Sequence, residues 1–496
     1  MRHQPLPLTA ALLLIAPFGA LAQTGEVITK QYDDGSVYSG TFENGRQHGH
    51  GSYRLPNGYD YEGEWVAGEI KGLGRARYPN GSVYEGAFDK GQPHGRGKIT
   101  FADGGSYDGD WVMGKMTGEA VASYAGGAVY EGGFLNGQHH GKGILRNPDG
   151  YIYEGDWVEG RKEGKGKITY ADGTTYEGDL VNGERIGTGV LVMASGLRYE
   201  GEWREGQING KGKLTQSNGD IYEGEFRNGQ RQGKGKTLHA SGDVYEGDFN
   251  ADKRHGKGVF TAKSGFKYDG TWVEGRMEGT GSITYPNGSV YVGAMQNDKP
   301  NGQGAITYPD GGTYQGDWRE GVIEGKGRAT YANGQSYEGS FKAAKPEGHG
   351  VMLWPDGYRY EGDFKAGERI GYGTATYADG TVYKGDFDKG RRHGKGELTL
   401  PDGFSYIGSF SNGEIEGQGL AKYATGDIYE GEFKAGKRQG LGKMTYANGQ
   451  VTEGLWENGI LTGPAPAAAD QAPTEPAAET PAEAPAEAPP AAAANP

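Results

Sequence analysis

The aromatic and glycine positions of this chain repeat every 23 residues without a change of phase. Tyrosine occupies eighteen successive positions of the repeat, from Tyr38 to Tyr429, and Thr452 occupies the nineteenth. Glycine follows two residues later in every case, from Gly40 to Gly454. Such a period predicts a stack of similar units, because a unit this small cannot bury its own apolar face and must pack on its neighbours.

Turn residues divide each repeat into two strands, with positions numbered from the tyrosine as zero. Proline or alanine, then Asp or Asn, then glycine occupy positions −5 to −3, as in Pro79-Asn80-Gly81. This order is typical of a three-residue hairpin loop, a type I turn closed by glycine. Positions +5 to +10 predict a second, wider hairpin loop, with strands of about seven residues between the loops. The predicted fold is all-β, an elongated, twisted, single-sheet antiparallel meander of about 19 hairpin repeats.

The expected register gives the sheet two different faces. A three-residue loop pairs position −8 with the tyrosine, so that Ile168 faces Tyr176, and Phe or Trp at position +4 lies on the same face. Glycines between these side chains let the rings cover bare backbone. The other face is charged, and the register predicts that Lys165 faces Asp179. Exposed pairs of this kind contribute about 0.2–1 kcal/mol each, which favours a role in register and solubility.

The N-terminal residues have the features of a secretory signal peptide. Residues 1–22 combine Arg2 with an apolar stretch and small residues before a cleavage point between Ala22 and Gln23. An uncleaved anchor is the alternative, although the apolar run is shorter than the ~20 residues that span a bilayer. The chain has no cysteine, which excludes disulfides and thiolate chemistry. We expect an exported protein, periplasmic or extracellular and peripherally associated with the envelope.

The C-terminal segment differs from the repeats in composition. Residues 464–496 are almost entirely Ala, Pro and Glu, with five acidic residues and no basic ones. A segment without apolar periodicity predicts a disordered tail. The expected organisation is therefore a signal peptide over 1–22, a repeat array over 23–463 and a tail over 464–496.

One repeat shows a complete family pattern. Residues 153–160 read Tyr-Glu-Gly-Asp-Trp-Val-Glu-Gly, and the repeat continues through Gly164-Lys165-Gly166 to Tyr170-Ala171-Asp172-Gly173. This pattern resembles the MORN repeat (membrane occupation and recognition nexus), and the resemblance covers residues from about 25 to 463. It implies an elongated antiparallel sheet with an aromatic groove, and a role in scaffolding, protein contact or phospholipid contact.

The residue types do not favour catalysis. His48, His94 and His140 occupy equivalent positions in different repeats, about four strands or ~19 Å apart, too far to share a metal ion. The carboxylates recur in every repeat and face lysines, so no pair is singled out as an acid and base. The net charge of −14 and the apparent lack of a basic stripe disfavour nucleic acid and anionic membranes. We expect no enzyme activity, no cofactor and no metal.

Two binding functions remain open. The first is a scaffold that holds protein partners in a bacterial envelope. The second is a groove in which rings stack on cell-wall glycan, such as peptidoglycan, or on phospholipid. The candidate groove residues are the tyrosines and tryptophans of six repeats: Tyr61, Trp65, Tyr107, Trp111, Tyr153, Trp157, Tyr199, Trp203, Tyr268, Trp272, Tyr314 and Trp318. Unpaired terminal strands also predict an end-to-end homodimer.

The repeats are least regular over residues 190–265. Position −6, aromatic in flanking repeats, is occupied there by Met193, Gln216, His239 and Ala262. The spacing of apolar residues in the second loop also changes, from steps of 46 to a step of 69 between Ile208 and Met277. We interpret the region as a junction between duplicated blocks and as a softer part of the array.

Overall fold

The computed structural model describes residues 25–465. The predicted cleavage point at Ala22 and Gln23 and nearly all of the predicted tail lie outside these residues. The described chain is all-β, without helix, and forms an open antiparallel sheet of 39 strands. Residues 25–465 therefore contain no helix that could cross a membrane.

The even-numbered strands are seven residues long, and each carries the repeat tyrosine or its equivalent. Their bounds are β2 (Val37–Glu43), β4 (Asp60–Val66), β6 (Val83–Asp89), β8 (Ser106–Val112), β10 (Val129–Leu135), β12 (Ile152–Val158), β14 (Thr175–Val181), β16 (Arg198–Arg204), β18 (Ile221–Arg227), β20 (Val244–Asn250), β22 (Lys267–Val273), β24 (Val290–Gln296), β26 (Thr313–Arg319), β28 (Ser336–Lys342), β30 (Arg359–Lys365), β32 (Val382–Asp388), β34 (Ser405–Ser411), β36 (Ile428–Lys434) and β38 (Val451–Glu457).

The odd-numbered strands are nine residues long except at the two ends. Their bounds are β1 (Ile28–Gln31), β3 (Arg46–Arg54), β5 (Glu69–Arg77), β7 (Gln92–Thr100), β9 (Lys115–Ser123), β11 (Gln138–Arg146), β13 (Arg161–Thr169), β15 (Glu184–Val192), β17 (Gln207–Thr215), β19 (Gln230–Leu238), β21 (Lys253–Thr261), β23 (Arg276–Thr284), β25 (Lys299–Thr307), β27 (Val322–Thr330), β29 (Lys345–Leu353), β31 (Glu368–Thr376), β33 (Arg391–Thr399), β35 (Glu414–Lys422), β37 (Lys437–Thr445) and β39 (Ile460–Pro464).

The chain divides into two compact units, Met1–Lys299 (unit 1) and Pro300–Pro496 (unit 2). Within each unit, every strand pairs antiparallel with the next in sequence, as β12 does with β13 and β30 with β31. The pairing continues without interruption through residues 190–265, and the boundary between the units lies after this region. The proposed softness of 190–265 stays a prediction.

The three-residue loop has the predicted geometry. In the loop before Tyr176, the amide of Gly173 donates to the carbonyl of Tyr170 at 2.9 Å, and the amide of Tyr170 donates to the carbonyl of Thr174 at 2.8 Å. Gly173 has a φ of +85°, which a side chain would disfavour. The loop is therefore a type I turn with a glycine bulge, and it sets the register of the two strands it joins.

The second hairpin loop is tighter than predicted, and the expectation of a wide loop over positions +5 to +10 was wrong. Val158 pairs directly with Arg161, which leaves Glu159 and Gly160 as a two-residue turn. Their φ values of +48° and +79° are those of a type I′ turn, whose twist matches that of the strands. The irregularity lies in the pairing of β12 with β13. The register shifts next to Gly155 of β12, and β13 is nine residues long, two more than β12.

The repeat tyrosines, called here the tyrosine ladder, form the core. Tyr38 is fully buried, and its ring meets Phe42 and Trp65 edge-on at centroid distances of 5.1 Å each. Most of the tyrosines contact the ring at position +4 of their own repeat and of the next, and the buried Leu180 and Met295 take the place of that ring in two repeats, so the core is continuous along a unit. Edge-on ring pairs contribute about 0.5–1.5 kcal/mol beyond their buried area.

The glycines at positions +2 and +13 make room for the tyrosine itself. A Cβ atom on Gly40 would lie 2.4 Å from the hydroxyl oxygen of Tyr38, and one on Gly51 would meet the same atom at 2.4 Å. The hydroxyl donates to the carbonyl of Thr41 at 3.0 Å, so the buried polar atom is satisfied. Trp65 also covers glycine backbone, because its indole N–H donates to the carbonyl of Gly51 at 3.3 Å.

The charged face has the predicted register. Lys165 pairs with Asp179 across β13 and β14, and their charged groups are 2.5 Å apart. Lys234 and Asp248 repeat this geometry at 2.5 Å. Both lysines are more than half exposed, so these pairs set the register more than they stabilise the fold.

Candidate functional site

The twelve predicted groove residues are part of the core. The exposed fractions of Tyr61, Trp65, Tyr107, Trp111, Tyr153, Trp157, Tyr199, Trp203, Tyr268, Trp272, Tyr314 and Trp318 lie between 0% and 7%. The groove that they form is filled by its own rings, because each ring covers the glycine backbone of one strand and the edge of the neighbouring ring. These twelve residues therefore form a closed groove and not an open one.

A second set of aromatic side chains is half-buried. These residues occupy positions −6 and −2, on either side of the three-residue loop, and we call them the second aromatic row. In unit 2 the ring of Tyr358 lies 4.7 Å from Trp354 and 4.9 Å from Tyr377. The other pairs of the row are Tyr59 with Tyr78, Tyr151 with Tyr170, Phe266 with Tyr285, and Phe404 with Tyr423. All of these rings keep part of their surface in solvent.

A row of cations lies over the ladder tyrosines, at position +9 of seven repeats, and three of these cations, Lys162, Arg369 and Arg438, also lie over rings of the second aromatic row. We call this set the arginine row: Lys162, Arg185, Arg231, Arg254, Arg369, Arg392 and Arg438. Arg369 is the most enclosed by rings, and its guanidinium lies 5.3 Å from the centre of Tyr358 and 5.5 Å from that of Trp354. The expectation that the array lacks a basic stripe was wrong, because the overall acidic charge conceals a local row of cations.

The electrostatics of the second row follow from partial burial. Desolvation raises the pKa of the Tyr358 phenol to about 12 and lowers the pKa of the Lys162 ammonium. Arg369 donates to the Tyr358 hydroxyl and to the carbonyl of Gly390, the latter at 2.6 Å. At neutral pH the site therefore presents neutral phenols and charged guanidinium groups.

Three arginines of unit 2 have no carboxylate partner. Arg369, Arg392 and Arg438 each donate to a main-chain carbonyl, and no carboxylate within residues 25–465 forms an ion pair with them. Arg231 of unit 1 differs, because its guanidinium lies 3.2 Å from the carboxylate of Asp252. A guanidinium has five N–H donors, so one or two carbonyl contacts leave most of its donors for another group.

The second row and the arginine row meet in a cleft of unit 2. The cleft has a volume of about 710 Å³, and its lining includes Trp354, Tyr358, Tyr377, Arg369 and Arg392. Flat rings and unpaired guanidinium groups suit a ligand that combines apolar surface with negative charge. The aromatic residues at position −6 and the apolar residues at position +9, such as Ile208 and Met277, were apparent from the sequence, but the cations at position +9, which an alignment of the repeats on their tyrosines reveals, were missed.

The histidines at position +10 have a structural use. His48 and His94 accept hydrogen bonds through Nδ1 from the amides of Ala67 and Met113, at 3.4 and 3.3 Å, and so hold the two-residue turn of the next repeat. They lie in strands β3 and β7 instead of loops. Residues 25–465 contain no group of three or more His, Asp or Glu placed to hold a metal ion.

Comparison with known families matches the repeat directly. The MORN repeat model matches eighteen consecutive segments, of which the first covers residues 38–58 and the last residues 429–451. The chain belongs to the MORN repeat family. The nineteenth unit, in which Thr452 replaces tyrosine, lies outside the matched segments.

Solved structures resemble the MORN array only weakly. The TCP10 domain of Danio rerio CPAP, solved with a peptide of Danio rerio STIL, is 14% identical over 54% of this chain and 93% of that chain, with a TM-score of 0.21. The TCP10c domain of Drosophila melanogaster Sas-4 is 14% identical over 36% and 100%, with a TM-score of 0.20. Virginiamycin B lyase from Staphylococcus aureus is 12% identical over 70% and 88%, with a TM-score of 0.11. No curated protein matches the chain.

MORN repeats point to a module for protein or membrane interaction. In this array, one set of residues forms the core and another set lies at the surface. The tyrosine ladder is buried in every repeat and holds the sheet together. The second aromatic row and the arginine row differ from repeat to repeat and stay partly exposed, so they are the better candidates for contact with another molecule.

Proposed function

We propose that this MORN array is a non-enzymatic scaffold of a bacterial cell envelope that binds protein partners through the second aromatic row and the arginine row. The observation that carries the proposal is the contrast between a sealed core and a half-exposed aromatic and cationic surface. Aromatic residues and arginine are the side chains that contribute most to protein interfaces. The repetition presents this surface at regular intervals, as a scaffold requires.

Export to the envelope is supported by the sequence alone. Residues 1–22 have the order of a signal peptide, and the absence of cysteine is compatible with an oxidising compartment. The partner surface should suit segments with carboxylates and apolar side chains, because unpaired arginines lie beside open ring faces. Nucleic acid is an unsuitable partner for a chain whose net charge is −14.

Self-association is a separate part of the proposal. The last strand, β39, pairs with β38, no other strand of residues 25–465 pairs with its second edge, and its Ile460 is 69% exposed. An open edge with exposed apolar residues can pair with a second copy. We propose an end-to-end homodimer through this edge, and light scattering at micromolar concentration would detect it. A monomer at that concentration would contradict this part of the proposal.

A ligand-binding array is the alternative. The same half-buried rings could stack on sugars of peptidoglycan, and the arginines could contact phosphate groups of lipid. These ligands and a protein partner would use the same surface, so the chemical nature of the bound molecule decides between the two functions.

Site-specific photocrosslinking in the producing cells tests the proposal. A benzophenone amino acid replaces Tyr377 in the second aromatic row or, as a matched control, Tyr372 on the opposite face, which is 64% exposed. We expect a discrete protein adduct from the Tyr377 position and none from the Tyr372 position. Adducts with glycan or lipid would favour the alternative. Equal adducts from both positions would contradict a specific surface.

A further inference from the structure

The arginine row of unit 2 is an incomplete electrostatic arrangement. Arg369, Arg392 and Arg438 are half-buried against rings, yet within residues 25–465 they contact carbonyl groups and, for Arg369 and Arg438, a phenol, and none of them pairs with a carboxylate. Elsewhere the chain pairs its cations across the sheet, as Lys234 does with Asp248. Partly desolvated guanidinium groups favour a carboxylate that can approach them from solvent.

The chain itself contains a segment with the complementary chemistry. Residues 466–496 carry five carboxylates, no basic residue and eight prolines. Four of the carboxylates recur at intervals of four residues: Glu475, Glu479, Glu483 and Glu487. Proline-rich segments bind aromatic-lined surfaces at low entropic cost, because the polyproline II conformation is preformed. The second aromatic row offers such rings beside the arginines.

The segment begins close enough to reach this surface. Strand β39 ends at Pro464, and Arg369 lies on β31, eight strands earlier in the same unit. Eight spacings of ~4.8 Å amount to roughly 38 Å. The 31 residues from 466 to 496 span up to about 96 Å in a polyproline II conformation, at ~3.1 Å per residue.

We propose that residues 466–496 bind intramolecularly to the second aromatic row and the arginine row of unit 2. The glutamates contact Arg369, Arg392 and Arg438, and the prolines pack on Tyr358 and Tyr377. This inference concerns the surface assigned under the proposed function but does not require an external partner. A bound tail would compete with that partner and would make binding depend on displacing it.

Two carboxylates of the cleft limit how the tail can lie. Asp356 and Asp379 also line it, and each accepts the hydrogen bond that closes its own loop, from the amides of Tyr358 at 2.9 Å and Thr381 at 2.8 Å. Their charges repel glutamates near the three-residue loops. The tail must therefore follow the arginines, on the side of the second row that lies away from these loops.

Distance measurement between spin labels tests the proposal, and the absence of native cysteine makes the labelling specific. Nitroxides are attached in the full chain at Asp388→Cys in unit 2 and at Ala484→Cys in the tail. A bound tail gives a narrow distance distribution. The Arg369→Gln, Arg392→Gln, Arg438→Gln variant should broaden it, whereas Arg319→Gln, Arg328→Gln, Arg359→Gln removes the same charge elsewhere in unit 2 and should not.

A tail variant keeps the test independent of the stability of the sheet. Glu475→Gln, Glu479→Gln, Glu483→Gln and Glu487→Gln change only residues outside the strands and should broaden the distribution as strongly as the arginine variant. A broad distribution in the unmodified chain would overturn the proposal, as would a narrow one unaffected by the glutamate changes. The two proposals can fail separately. If the distance measurement shows that the tail binds, but photocrosslinking from Tyr377 gives no protein adduct even in the glutamate variant, the proposed scaffold function is wrong and the tail proposal is supported.

Discussion

Two stretches of the array share a core and differ in the surface above it. Tyr222, in the irregular region 190–265, lies 5.0 Å from Phe226 and from Phe249. Tyr360, in unit 2, lies 5.1 Å from Phe364 and 4.9 Å from Phe387. The tyrosine ladder is therefore nearly the same in both stretches, and irregularity at position −6 does not disturb it.

The second row separates the two stretches. Where unit 2 has tilted ring pairs around Tyr358, the irregular region has polar contacts, such as His239 to Asp220 at 3.2 Å. Asp220 also accepts from the amide of Ala240 at 2.8 Å. The difference teaches that the core repeats because every unit must pack on the next, whereas the second row can vary because the fold does not depend on it.

Removing a ladder tyrosine should have the largest effect. Tyr222→Ala and Tyr360→Ala each leave a cavity among rings, and we expect a loss of about 3–5 kcal/mol in the free energy of unfolding. Tyr377→Ala, in the half-buried second row, should cost far less. Urea unfolding followed by fluorescence measures all three. A cost for Tyr377→Ala equal to that for Tyr360→Ala would remove the distinction between core and surface row.

Alkaline pH should weaken both stretches alike. Burial raises the pKa of Tyr222 and Tyr360 from 10.0 to about 12, so folding disfavours the ionised phenol. The stability from these groups is fully present below pH 10 and is lost as the pH rises towards about 12. Near-ultraviolet absorbance and circular dichroism should show phenol ionisation together with unfolding. Ionisation of the ladder tyrosines near pH 10 in a folded chain would contradict the closed core.

Hydrogen exchange should show that the two stretches differ in local stability. The amides of residues 190–265 should exchange about tenfold faster than those of residues 331–400, because the second row there is polar and adds less packing. The measurement is native-state exchange followed by mass spectrometry of peptides. Uniform protection across both stretches would remove the claim that region 190–265 is softer.

Substitutions in the two-residue turns should change the stability of the fold by small and equal amounts in the two stretches. Ala251 and Ala366 have φ values of +45° and +52°, which alanine tolerates poorly. Ala251→Asn and Ala366→Asn should each stabilise the fold by ~1 kcal/mol, since asparagine visits this region more readily. Asn412→Ala, at a φ of +49°, is the reverse control and should destabilise the fold by a similar amount. Unequal responses of the two alanines would show that the backbones of the stretches differ.

The local turn chemistry was readable from the repeats in one loop and not in the other. Pro79-Asn80-Gly81 predicts the three-residue loop, because each residue type suits its place in the turn. The two-residue turn was missed although Asn-Gly, as at Asn182-Gly183, favours a type I′ turn, because in other repeats its first residue is Ala, Glu or Lys, as at Glu159, and these residues seldom adopt a positive φ. Only the pairing of the strands forces them into it.

The candidate site was predicted only in part. Aromatic residues at position −6, such as Tyr377, were visible as a recurring feature, but the sequence alone could not separate a half-buried ring from a buried one. Tyr61 and Trp65 were candidates for an aromatic groove, and the neighbouring repeat covers them. Arg369 was missed because its importance comes from rings supplied by two other strands and by the loop before β30.

The sequence by itself determined the period, the all-β fold, the family and the register across the three-residue loop, because each depends on residues close together in the chain. Glycine at position +2 beside each tyrosine was enough to predict a repeated sheet with its rings on one face. Only the tertiary structure decided which rings are sealed and which remain accessible, because exposure depends on side chains contributed by the next repeat. It also decided that Arg369 and Arg438, which pair with no carboxylate in residues 25–465, lie over rings of the second aromatic row, since their surroundings are assembled from different parts of the chain.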